Sequence, residues 1–99
     1  MKVIQSDESL VRIAFMGKLD STYVSNHEVK LFALLNGVKG PVYFDFSEVN
    51  FISSLGIRMI LMASREVKRQ GFTLLIEKSN ADVENIFNMV GLGNLLNPL

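Results

Sequence analysis

Cysteine is missing from the 99-residue chain. Its absence excludes disulfides, thiolate nucleophiles and thiolate metal sites, and fits a reducing compartment. Net charge is missing too: ten Lys and Arg balance ten Asp and Glu, so no general pull toward nucleic acid or an anionic membrane is expected. His27 is the only histidine, and it reads as a packed or boundary residue of a helix. A serine hydrolase needs a base and an orienting acid beside its nucleophile, and one upstream histidine does not supply them. Long apolar runs are also lacking. Residues 1–8 have no signal-peptide core, and no later stretch approaches the ~20 apolar residues that cross a bilayer. A soluble, cytoplasmic protein without direct membrane insertion is expected.

What is present is a globular composition, 48% hydrophobic and 20% charged, well clear of the disordered class. The length suits a single domain over residues 1–99 with one core.

Val3 to Gln5 and Leu10 to Met16 are apolar-rich runs flanking Ser6-Asp7-Glu8-Ser9, which predicts an opening hairpin with Gly17 ending its second strand. After Leu19-Asp20-Ser21-Thr22, the positions Val24, Leu31, Leu35 and Val38 recur at helical spacing until Gly37 and Gly40. Val42 to Phe46 is a continuous β-prone run, expected to be buried on both faces, with Ser47 to Phe51 as a connector. Gly56, Ile60, Ala63 and Val67 mark a second helix over Ser54 to Gln70, with Met59 beside them. Phe72 to Glu77 reads as a strand, and Ser79-Asn80 caps a third helix carrying Val83, Ile86, Phe87 and Val90. Leu92, Leu95 and Leu96 are expected to dock as a plug. Met59, Met62 and Met89 read as adaptable packing. The order predicts an α/β fold with a mixed sheet of four to five strands.

Chemistry concentrates between Asp45 and Ile57, where a strand leads through a polar loop to Ser53-Ser54 at a helix start. Other chemistries fit poorly. Ile52 stands where a nucleophile elbow leading to Ser54 needs glycine. Gly17-Lys18 lacks the glycine loop of a phosphate-binding motif. Asp45 and Glu48 have no metal-binding histidine nearby and read as turn or solvated residues. No enzyme activity, cofactor or metal is expected.

Asp45, Ser47, Val49, Phe51, Ser54, Gly56 and Ile57 follow the spacing Asp-x-Ser-x-Val-x-Phe-x-x-Ser-x-Gly-hydrophobic, and Gly17-Lys18-Leu19-Asp20 adds a Gly-x-Leu-Asp. This pair of motifs resembles the STAS domains of bacterial anti-sigma factor antagonists. The family commonly has aspartate before its phosphoacceptor serine, where this chain has Ser53. The resemblance implies a STAS-like domain with helices packed mainly on one face of the sheet. It also implies phosphorylation of Ser54, with Ser53 as the alternative acceptor. The implied partners are an anti-sigma factor that is a serine kinase of histidine-kinase-like ATPase fold, and a serine phosphatase. A constitutive STAS accessory subunit of a transporter or signalling scaffold is the other function the resemblance allows. The partner surface is expected at Asp20, Ser21, Ser53, Ser54, Leu55, Gly56, Ile57, Arg58 and Leu61, with Ile57 and Leu61 on the solvent side of their helix.

Overall fold

The computed structural model describes residues 1–97. Its elements are β1 (Lys2–Ser6), β2 (Val11–Leu19), α1 (Ser21–Leu35), β3 (Val42–Ile52), α2 (Ser54–Arg69), β4 (Leu74–Glu77) and α3 (Ala81–Met89), followed by a 3-10 turn at Gly93–Leu95. Among the described residues, no helix is long and apolar enough to cross a membrane.

The hairpin forms because Asp7 closes its turn. The Asp7 carboxylate accepts the amides of Ser9 at 2.8 Å and Leu10 at 3.2 Å, together with the Ser9 hydroxyl. The four strands lie in the order β1-β2-β3-β4. β1 runs antiparallel to β2, and β2, β3 and β4 are mutually parallel through helical crossovers.

Two strand boundaries differ from expectation for one reason. Gly17 does not end β2; at φ +82° it forms an irregularity that only glycine adopts readily, and the strand continues to Leu19. β3 likewise runs on through Ser47 to Phe51, the expected connector, because this extension of β2 keeps pairing with it as far as Leu19 opposite Ile52. The register shifts break the alternation of apolar residues that marks a strand in sequence, so the extension reads there as a loop.

The core lies on one face of the sheet. Phe15 of β2 packs on Phe44 and Phe46 of β3 with ring centroids 4.6 and 5.6 Å apart, and Phe87 of α3 closes on Phe46 at 6.3 Å. All four rings are fully buried, and losing such a side chain costs about 3–5 kcal/mol. From α1, Leu31 and Leu35 enter this core, and from α2, Met59, Ile60, Ala63 and Val67. The side chain of Gln70 ties the ends of the two helices together, accepting from the Val38 amide at 3.0 Å and donating to the Leu35 carbonyl at 2.8 Å.

On the other face, Tyr43 and Asp45 are only half-buried, so β3 is not enclosed on both sides as expected. There the Arg12 guanidinium donates to Glu77 from Nε at 3.2 Å and Nη2 at 3.1 Å, and lies 4.8 Å from the Tyr43 ring centroid. The leucine tail docks as expected. Leu95 is buried, Leu92 and Leu96 pack beside it, and the Asn97 amide donates to the Ile76 carbonyl at 2.8 Å. Val90 and Met89, expected to pack, are instead exposed.

Candidate functional site

The carbonyl of Leu19, at the end of β2, is where the two sequence motifs meet. It accepts the backbone amide of Ser53 at 3.0 Å and the Ser53 hydroxyl at 3.2 Å. Gly56 completes the approach. A Cβ at this position would collide with the Leu19 carbonyl oxygen and lie 2.9 Å from Cγ1 of Ile52, so only glycine lets the first turn of α2 settle against the strand ends. One residue on from Leu19, Asp20 caps α1 by accepting the Tyr23 amide at 3.1 Å. Ser21 follows, exposed at the helix start.

The two serines differ in kind. Ser53 is the N-cap of α2 and half-buried; its Oγ accepts the Gly56 amide at 3.2 Å while donating to Leu19. Both capacities of that hydroxyl are in use. Ser54, the first residue of the helix, is exposed, and its hydroxyl has no partner among the described residues. The Ser53 cap and the Ile57 amide's bond to the Ser53 carbonyl at 2.9 Å leave Ser54 and Leu55 as the open amide donors of the turn. No acidic residue lies in this first turn, and Lys68 and Arg69 occupy the last. The site can therefore accept negative charge beside the positive end of the helix dipole.

Beside Ser54 a groove of about 440 Å³ runs between α1 and α2. Val24, Glu28 and Phe32 line it from α1, and Leu55, Arg58, Met59 and Met62 from α2. Leu55 is 46% exposed and Met62 44%. Among the described residues neither Glu28 nor Arg58 forms an ion pair.

Comparison with known proteins decides the family. Residues 2–99 match the STAS domain family. The chain belongs to it. The fold is also that of the anti-sigma factor antagonist SpoIIAA in its unphosphorylated form, with a TM-score of 0.81 at 22% identity over 97% of this chain and 84% of that one. SpoIIAA, described as a Bacillus cell fate determinant, in its phosphorylated form gives a TM-score of 0.73, again at 22% identity, over 97% of this chain and 87% of its own. No curated protein matches the sequence.

In this STAS domain the expected surface is partly displaced around α2. Asp20, Ser21, Ser53, Ser54, Leu55 and Gly56 come together at the strand ends, and Arg58 is exposed on the next turn. Ile57 does not face solvent as expected; it is half-buried and packs against the core, and Leu61 is also half-buried. The exposed apolar positions are Leu55 and Met62, so Met62 is a groove residue and not core packing. The expected core stripe of Gly56, Met59, Ile60, Ala63 and Val67 is buried, so the phase of the helix holds and only its flanks differ, with Ile57 and Leu61 half-buried on one side and Leu55 and Met62 exposed on the other. The contribution of Val24, Glu28 and Phe32 was missed. Their spacing of four residues puts them on one stripe of α1, but only the packing of α1 on α2 reveals what that stripe faces.

His27 sits against Tyr23, ring centroids 4.3 Å apart, as a boundary residue. Desolvation there, aided by the charges of the amino terminus and of Lys30, lowers its pKa. Asp45 is not a turn residue as expected but lies within β3, where its carboxylate accepts the Ser47 amide at 2.8 Å. Burial disfavours its charged form, but hydrogen bonds from Ser47 and the charges of Lys78 and Arg12 outweigh this and hold its carboxyl below the usual range. Among the described residues, no three His, Asp or Glu side chains gather as a metal site.

Proposed function

We propose that this STAS domain is a cytoplasmic, phosphorylation-gated binding module of the anti-sigma factor antagonist type, with Ser54 as the phosphoacceptor and no catalytic activity of its own. The observation that carries the reading is the division of labour between the serines. The Ser53 hydroxyl is occupied as a cap, while the Ser54 hydroxyl is exposed and uncommitted. Ser53 also does the capping work that aspartate would do, since both side chains are good N-caps. Its presence before Ser54 therefore leaves the turn intact while removing a negative charge.

The unmodified protein binds an anti-sigma factor that is also an ATP-dependent serine kinase. The kinase moves the γ-phosphoryl group of ATP to Oγ of Ser54; the hydroxyl proton leaves to the kinase's base and ADP is released. The added group brings about −1.5 to −2 charge, which a helix N-terminus tolerates. Docking of a partner over the same dianion strips it of water, a cost of roughly several kcal/mol. A serine phosphatase reverses the modification by hydrolysis. The docking surface is the α2 start together with the groove, where Leu55 and Met62 offer apolar area and Arg58 seeks a partner carboxylate.

The test is intact mass after incubation with ATP and a serine kinase encoded beside the protein. One phosphate is expected on the wild type and on Ser53→Ala, and none on Ser54→Ala. Phosphorylation lost in Ser53→Ala and kept in Ser54→Ala would move the acceptor to the capping serine. Absence of phosphate in all three would favour a constitutive accessory subunit.

A further inference from the structure

Arg58 stands four residues beyond Ser54 on α2, so the two side chains leave the same helix face one turn apart. Long side chains on a helix lean back over the preceding turn, which brings the Arg58 guanidinium toward the helix start. It is exposed and, among the described residues, has no ion pair. The other cations of α2 are placed differently. Arg65 and Lys68 lie two or more turns further along, and Arg69 is engaged by Glu66, its Nε donating at 3.0 Å. The remaining charges near the helix start come from other elements: Asp20 at the α1 cap, Lys18 at the end of β2 and Glu28 across the groove.

We infer that a phosphate on Ser54 is neutralised within the same chain by Arg58, which is thereby drawn out of the α1–α2 groove. The inference rests on Ser54 being the acceptor. Before modification the groove carries one cation and one anion, Arg58 and Glu28, and is electrically balanced. Afterwards charge-assisted hydrogen bonds hold the guanidinium at the phosphate, and Glu28 remains as the groove's uncompensated charge. Phosphorylation then changes the docking surface at two places. It puts an anion at the helix start, and it withdraws the cation that a partner's carboxylate would meet one turn away. The capture also explains how an exposed dianion is held without disturbing the fold, since its counter-ion is already on the helix.

Phosphoserine installed at position 54 by codon suppression tests this without any kinase. Titration of the phosphate by 31P NMR reads its second pKa in the wild type, Arg58→Gln and Arg65→Gln backgrounds. Arg58→Gln is expected to raise that pKa by about half a unit, and Arg65→Gln to leave it in place. An unchanged pKa in Arg58→Gln, or an equal rise in Arg65→Gln, would overturn the capture. Because the phosphate is placed chemically, a negative result here leaves the kinase assay to judge Ser54 separately, and failure of that assay leaves this titration valid.

Discussion

The open face of the sheet and the groove between α1 and α2 both carry charge next to apolar surface, but they treat it differently. On the sheet, Arg12 is spent internally, with two donors on Glu77 and its plane against Tyr43. In the groove, Arg58 and Glu28 have no ion-pair partners among the described residues, and Leu55 and Met62 stay exposed beside them. A face whose groups satisfy one another contributes to stability. A face whose groups do not is free to contribute to binding. Substitutions on the two faces should therefore separate stability from association.

The largest effect is expected where the groove is anchored to the sheet. Gly56→Ala drives a methyl group into the Leu19 carbonyl and should destabilise by about 3 kcal/mol, lowering the thermal midpoint by roughly 10–20 °C. A midpoint within 2–3 °C of wild type (about 0.5 kcal/mol) would show that α2 is not held this closely. Next comes Arg12→Gln, which leaves Glu77, with a side chain only 17% exposed, without its partner. A loss of about 1–1.5 kcal/mol is expected in urea melts, against less than about 0.5 kcal/mol for Arg58→Gln. Equal losses would erase the distinction between the faces.

Ser53→Ala removes a helix cap and should cost about 1 kcal/mol, while Ser54→Ala stays within about 0.5 kcal/mol of wild type. The reverse order would assign the cap to the wrong serine. Acid sharpens the contrast further. Asp45, on the open face, has a folded-state pKa below its unfolded value, so its contribution is present above about pH 4 and is lost as pH falls through the lower folded value. Stability should decline below about pH 4, and less steeply in Asp45→Asn. An identical acid profile in that variant would remove Asp45 from the account.

Much of this was legible in the sequence, because periodicity and capping residues report local structure directly. Asp20 and Asn80 cap their helices, Leu31 and Leu35 enter the core, and the leucine tail docks. The strand extension of Ser47 to Phe51 was not legible, since bulges shift its alternation out of step. The phase of α2 was legible, since Gly56, Met59, Ile60, Ala63 and Val67 are buried as their spacing predicts; its flanks were not, because neighbouring elements decide which side is covered, leaving Ile57 and Leu61 half-buried and Leu55 and Met62 exposed on the groove. The groove was invisible for a different reason. It belongs to the packing of two helices, and neither stripe alone says what lies opposite.

The central claim is that charge on Ser54 acts on association and spares the fold. Its most direct test is to measure, on the same phosphoserine-54 preparation, the thermal midpoint and the affinity for the proposed serine kinase partner. The account predicts a midpoint within about 3 °C of the unmodified protein and binding weakened by about 100-fold or more. Unchanged affinity, or a midpoint that collapses together with binding, would contradict it.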